Sequence, residues 1–175
     1  HQGEMAGEFA ANACGGKGKA AIIAGTEGAS NADGRRDGAK AKMEEAGMEV
    51  VAVQQCDFDQ QKAYDATKSI MQANPDIKAI TCGNDDMAMG VLKALEELEI
   101  EGVCVVGNDL TSEAKQSIID GKLSASVAMS PYLGGRVSVI TMIKAAAGEE
   151  VGTVTDYIPM ILVSADNVDK MADWK

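Results

Sequence analysis

Five short, almost unbroken apolar runs constrain this chain more than any other feature: KAAIIAG (19–25), EVVAVQQ (49–55), IKAITCG (77–83), GVCVVG (102–107) and LSASVAM (123–129). A strand with one face in water alternates apolar and polar residues, whereas a strand covered on both faces need not. Segments of helical period lie around and between these runs, at 3–13, 30–46, 60–73, 85–98, 111–120 and 131–147. The expected fold is therefore α/β, an open doubly wound parallel sheet with helices on both faces and right-handed crossovers. At 175 residues and 46% apolar content, the chain can bury one such core.

In a sheet of this kind the residues after each strand gather along one edge, the carboxyl edge, where ligands bind. The triplet Gly-Asn-Asp lands there twice, at 83–85 and 107–109. Gly83 and Gly107 are expected to permit a sharp exit from the strand. The polar residues have two readings, as helix N-caps or as groups facing the crevice. Capping suits Asn84 or Asp85, whereas Asp109 stands two residues ahead of its helix and fits the crevice better. After the first run, GTEGASNADGRRDGAK (25–40) carries Arg35 and Arg36. An arginine beside a crevice grips paired oxygens with its planar fork, while a solvated arginine pairs with neighbouring acids, the better reading for Arg36. After the second run, QQCDFDQQK (54–62) holds Phe58 in a polar turn, either as a lid on the core or as a ligand platform.

Several function classes are disfavoured. With 27 acidic and 16 basic residues the formal charge is −11, which repels phosphate backbones, so no nucleic-acid partner is expected. No apolar run reaches the roughly 20 residues of a membrane-spanning helix, and the start shows no leader-like pattern of charge, apolar stretch and small residues. Neither Gly-x-x-x-x-Gly-Lys-Ser/Thr nor Gly-x-Gly-x-x-Gly is present, so no nucleotide or other cofactor is expected. Cys14, Cys56, Cys82 and Cys104 lack metal-ligand spacing, so no metal is expected either. Cys82 and Cys104 read as small buried hydrophobes. His1 is the only histidine, which removes the usual general base and weighs against catalysis.

The series GTEGASNADGRRDG, CDFDQQKAYDATKSIMQANPDIKAITCGNDDMAMGVLKAL and VVGNDLTSEAKQSIIDGKLSASVAMSP resembles the sugar-binding proteins of bacterial ABC transporters, of the ribose- and galactose-binding type, in order and over essentially the whole chain. The resemblance implies two α/β lobes joined by three crossings, with a monosaccharide or related polyol held between them. It also implies an extracytoplasmic place, in the periplasm or as a membrane-tethered lipoprotein, and a membrane permease as partner. This chain looks like the second, carboxyl-terminal lobe alone. Residues 1–128 would form that lobe of a type I periplasmic binding protein. Residues 129–156 would be a hinge crossing and a helix that belongs with the missing N-terminal lobe, and 157–175 the returning segment.

Carried over by motif, the resemblance sets Arg35 on ring or hydroxyl oxygens, Phe58 against the sugar face, Asn84 on a hydroxyl and Asp109 on hydroxyls as a charged acceptor. That set suits a ligand whose hydroxyls both donate and accept. Two positions depart from the pattern. An aromatic of the family is Ala39 here, and a polar amide before the crossing proline is Met129. Met129 puts ribose in doubt and favours a deoxy sugar, a bulkier sugar or another polyol. The rival class is the effector-binding half of a lactose-repressor-type regulator, and a small flavodoxin-like hydrolase stands third for want of a nucleophile-base pair.

Two further expectations concern binding and association. The lobe alone should bind sugar poorly, since losing ~4 kcal/mol of contacts weakens binding roughly a thousandfold. The segment 131–150, with Val137, Ile140, Met142, Ile143 and Ala146 on its helix, should be buried against another copy of the chain, giving a homodimer, or folded back onto its own lobe.

Overall fold

The computed structural model describes residues 1–151 and 158–171. The elements are α1 (Gln2–Ala13), β1 (Lys19–Ala24), α2 (Ser30–Glu45), β2 (Glu49–Gln55), α3 (Gln60–Ala73), β3 (Ile77–Cys82), α4 (Asp85–Glu97), β4 (Cys104–Asn108), α5 (Ser112–Ile119), β5 (Ala125–Met129), α6 (Pro131–Ala146) and β6 (Met160–Ser164), closed by a 3₁₀ turn at Val168–Met171. The six strands lie in the order β2-β1-β3-β4-β5-β6.

Each central strand divides its side chains between two cores, as the unbroken apolar runs require. On β1, Ala20, Ile22 and Ala24 join Ala10, Ala39 and Met43 beneath α1 and α2. Ala21 and Ile23 turn the other way, to Ala63, Met71, Met87 and Val91 beneath α3 and α4. The expectation of full burial fails at β2, where Val53 is 41% exposed. That strand closes the sheet and, among the described residues, has only one neighbour.

The five expected strands form a parallel sheet, and a sixth strand, which the apolar runs do not announce, is added antiparallel. β1 to β5 pair parallel, but β6 runs antiparallel to β5, with Met129 opposite Met160 and Ala125 opposite Ser164. The chain leaves β5 at the carboxyl edge and re-enters the sheet at that same edge, so β6 can only run back along its neighbour.

Small residues let α1 and α2 approach closely. A methyl group on Gly3 would lie 2.1 Å from the Arg35 carbonyl oxygen, and one on Gly7 would lie 2.5 Å from that of Ala39. The first turn of α1 is thereby held against the middle of α2, where Arg35 sits.

α6 stands apart. Ser130 caps it through the Leu133 N–H and Pro131 opens it, yet none of its residues is buried. Met142 and Ile143 are 62% and 64% exposed. Of the two outcomes expected for 131–150, folding back onto the lobe is overturned, because none of the α6 residues is buried against either core. The crossing assigned to 129–156 is described only as far as residue 151, and residues 152–157 and 172–175 of the proposed crossing and return lie outside the described residues.

Candidate functional site

The carboxyl edge is built around Arg35, whose side chain is only 10% exposed. Its Nη2 donates to Asp109 Oδ1 at 2.8 Å, its Nη1 to the Gly83 carbonyl at 2.6 Å and its Nε to Gln2 Oε1 at 3.0 Å. One side chain from α2 thus ties together the ends of β3 and β4 and the start of α1. Arg36, by contrast, pairs with Asp33 at 2.9 Å and Asp37 at 2.7 Å on its own helix, as its acidic neighbours led us to expect.

The two Gly-Asn-Asp triplets are used in opposite ways. In the first, Asn84 is the N-cap of α4: its Oδ1 accepts from the Met87 N–H at 3.0 Å, and its Nδ2 has no partner among the described residues. Asp85 turns inward and is 1% exposed. In the second, Asn108 turns inward, its Nδ2 donating to the Cys82 carbonyl at 2.8 Å, and Asp109 faces the edge. The difference lies in where the next helix begins. α4 starts within the first triplet, whereas α5 starts only at Ser112, with Thr111 as its cap.

Both glycines serve close approach rather than a sharp exit, which corrects the sequence reading. Neither has a positive φ. A methyl on Gly107 would lie 2.2 Å from Asp85 Oδ1, and one on Gly83 would lie 2.9 Å from Met87 Cε and 3.0 Å from the Gly25 amide nitrogen. The two triplets therefore touch: the inward aspartate of the first occupies the space over the glycine of the second.

Phe58 lies across the ends of β1 and β3. A methyl on Gly25 would be 2.2 Å from its Cζ, and one on Gly83 would be 3.5 Å from its ring. The ring is half-buried, packed on the core beneath α3 and α4. Its backbone φ is +61°, following Asp57 at +54°, and Asp109 and Leu110 have φ of +106° and +54°. Consecutive non-glycine residues in this region carry strain, which native structures tend to retain at functional positions. Met129 ends β5 at the same edge, two residues beyond Val127, whose carbonyl accepts the Asp109 N–H at 2.8 Å.

The structure brings Arg35, Asp109, Asn84 and Phe58 to one edge around Gly83, with Met129 at the end of the neighbouring strand. Sequence reasoning missed Gln2, whose contact to Arg35 spans 33 positions and leaves no local signal. It also left Asp85 as a capping candidate. Burial pushes the Asp85 carboxyl up to about 7, against the opposing pull of its hydrogen bonds from the Thr111 N–H and the Ser126 hydroxyl.

Beneath Arg35 lies a void of about 10 Å³ lined by Thr81, Cys82, Gly83 and Asn108. Cys82 is buried there, and burial holds its thiol well above the ordinary range. Cys104 is half-buried, its thiol pushed up to about 11. A larger hollow of about 920 Å³, lined by Phe9, Leu92, Ile100, Val103, Glu96 and Glu99, opens at the opposite, amino edge, away from these groups. Among the described residues no three His, Cys, Asp or Glu side chains come together as metal ligands, and no helix is long and apolar enough to cross a membrane.

Residues 1–150 match the periplasmic binding protein domain family. The chain is 34% identical over 149 residues to the ribose import binding protein of Haemophilus influenzae, covering 85% of this chain and 51% of that one. It is 39% identical over 130 residues to the D-allose-binding periplasmic protein of Escherichia coli K12, covering 73% and 42%. It thus spans about half the length of the curated relatives it matches. An ABC transporter solute-binding protein from Actinobacillus succinogenes with bound D-allose superposes with a TM-score of 0.92 at 27% identity, over 97% of this chain and 60% of that one. One from Bacillus halodurans with bound myo-inositol gives 0.90 at 31% identity, over 97% and 59%. A match over this much of the chain, in a sheet whose polar groups gather at the expected edge, establishes that the chain belongs to the periplasmic binding protein domain family.

Proposed function

We propose that this chain is the carboxyl-terminal lobe of an ABC-importer solute-binding protein, and that its carboxyl edge supplies one side of a site for a monosaccharide or related polyol. The observation that carries the reading is the Arg35–Asp109 pair at 2.8 Å, set beside Asn84 and Phe58 on that edge. Asp109 keeps Oδ2 without a partner among the described residues, Asn84 keeps Nδ2, and Phe58 offers an apolar face. A donor, an acceptor and a ring are what a hydroxyl-rich ring with one apolar face requires. Met129 adds an apolar group where a polar one would grip a further hydroxyl, which favours a sugar that is deoxy or bulkier at that position. A solute-binding protein from Agrobacterium vitis, 26% identical with a TM-score of 0.89, holds D-fucose, a finding that supports such a ligand.

The remaining partners belong to the same reading: a first lobe that closes over the site, a membrane permease that receives the sugar, and an extracytoplasmic location, periplasmic or tethered. Binding rather than catalysis is its chemistry. Residues 129–156 form the crossing and a helix whose apolar face docks on the first lobe, 157–175 return, and in the chain by itself that face pairs with a second copy. The relatives' roles in sugar import favour transport over gene regulation.

The test is titration calorimetry of D-allose, D-ribose, D-fucose and myo-inositol into the full-length protein and its Arg35→Ala and Asp109→Ala variants. At least one ligand should bind, and each variant should lose about tenfold or more, because each removes a polar contact to the ligand and Asp109→Ala also leaves the buried Arg35 guanidinium without its acid. Binding that is unchanged in both variants, or absent for the whole panel, would overturn the reading.

A further inference from the structure

The turn Asp109–Leu110–Thr111 carries two consecutive non-glycine residues with positive φ, and its three successive backbone N–H groups each have a different acceptor. The Asp109 N–H donates to the Val127 carbonyl at 2.8 Å. The Leu110 N–H donates to Ser126 Oγ at 3.0 Å, and the Thr111 N–H to Asp85 Oδ2 at 2.7 Å. The Ser126 hydroxyl in turn donates to Asp85 Oδ1 at 2.8 Å. Asp85 therefore stands at the centre of the arrangement, holding Thr111 directly and Leu110 through Ser126. Asp85, Ser126 and Leu110 are 1%, 0% and 5% exposed, so water cannot readily replace a lost partner. Gly107 admits the carboxylate, since any side chain there would collide with Asp85 Oδ1.

We infer that Asp85 is the positioning residue for Asp109: with Ser126 it clamps the strained turn in the one conformation that aims the Asp109 carboxylate at Arg35 and the open edge. The inference rests on the sugar-site reading above for its functional consequence. The clamp itself stands on the geometry alone. A turn with φ of +106° and +54° does not persist unless its surroundings over-determine it, and these three hydrogen bonds are what hold it. The carboxylate touches no open surface, so it acts on a ligand only through the turn. It spans the N-terminus of α4, the β4–α5 turn and β5, joining three elements that each contribute to the edge.

Asparagine can replace the acid, because one amide oxygen still accepts from the Thr111 N–H while the amide N–H donates to the Ser126 hydroxyl. Alanine cannot. The measurement has two arms. Amide hydrogen exchange by NMR on this chain compares the wild type with Asp85→Asn, Asp85→Ala and Ser126→Ala. Exchange at Leu110 and Thr111 should accelerate about tenfold to a hundredfold in both alanine variants, relative to the β1 and β3 amides, and be largely restored in Asp85→Asn. Calorimetry with D-allose on the full-length protein should show a loss of about tenfold to a hundredfold for Asp85→Ala and recovery to within roughly threefold for Asp85→Asn.

Should Asp85→Ala fail to fold, Ser126→Ala carries both arms. Exchange at Leu110 and Thr111 that tracks the rest of the sheet in every variant would overturn the clamp, whatever the protein binds. Faster exchange with unchanged D-allose affinity would overturn the positioning role. A wild type that binds no D-allose yet shows the exchange pattern would leave the clamp standing and count against the ligand assignment instead.

Discussion

α4 and α6 begin alike and end in different surroundings. Each comes directly after a strand and each is capped by a side chain, Asn84 accepting from the Met87 N–H and Ser130 from the Leu133 N–H. α4 buries eight of its thirteen residues, Asp85 and Met87 among them, while α6, with sixteen, buries none. Local sequence starts a helix, but only a facing surface turns its apolar residues into stability. α4 has that surface in β3, β4 and α3. α6 displays Val139, Ile140, Met142 and Ile143 to open space, so its contribution awaits another body.

The contrast is sharpest at matched side chains. Met87 is fully buried, so Met87→Ala should cost about 2–5 kcal/mol in denaturant unfolding. Met142→Ala should stay within about 0.5 kcal/mol. Equal costs would break the comparison.

Asp85, at the first turn of α4, adds a dependence on pH that α6 lacks. Its carboxyl is raised to about 7 in the fold, so the charged form is disfavoured there. The stabilisation is complete at low pH and is lost as pH rises from about 4 toward about 7, by an amount on the order of 4 kcal/mol at full extent. The charged group that bears on it is Asp109, which raises it further, while Asp85 in its turn raises the neighbouring Cys82 thiol. Asp85→Asn removes this titration and leaves the others in place. Unfolding free energies taken from pH 4 to 8 should therefore show the wild type falling relative to Asp85→Asn, then running parallel above the window. A wild type that gains on the variant as pH rises would contradict the sign.

Glycines repeat the comparison at smaller scale. A methyl on Gly90 of α4 would lie 2.2 Å from the Gln60 carbonyl oxygen, whereas one on Gly135 of α6 meets nothing within 4 Å. Gly90→Ala should destabilise by about 1–3 kcal/mol through overpacking. Gly135→Ala should stabilise by roughly 0.5–1 kcal/mol through helix propensity. Thermal melts of the two variants decide it, and opposite shifts are required.

The smallest effect concerns α6 itself. If its apolar face pairs with a second copy, sedimentation at rising concentration should show a growing mass for the wild type and a constant one for Ile143→Lys. Identical profiles would remove self-association from the account.

Much of the α/β organisation is legible because the core imposes it on every strand. The apolar runs mark strands covered on both faces at β1, β3, β4 and β5, though not at the edge strand β2, and β1 and β3 lie within a residue of their expected bounds. The reversal of β6 is not legible, since direction depends on where the chain re-enters the sheet and not on the residues of MILVS. The site divides the same way. Arg35, Asn84, Phe58 and Asp109 are placed by tracing strand ends. The roles of the two aspartates are not, because Asp85 and Asp109 are chemically identical within identical triplets. What separates them is the start of α4 against the two-residue delay before α5's cap, together with a contact from Asp85 to Gly107 across 22 positions. Gln2 reaches Arg35 through the close packing of α1 on α2, which small residues at Gly3 and Gly7 announce without naming the side chain that benefits.

In the proposed reading, the packed lobe presents one side of a sugar site and the uncovered α6 docks on a first lobe. Calorimetry on this chain alone, and on the full-length protein, tests it most directly with the sugar the latter binds best. The account predicts affinity on the order of a thousandfold weaker for the chain alone, corresponding to ~4 kcal/mol of contacts that only the first lobe provides. Micromolar or tighter binding by the 175-residue chain itself would contradict it.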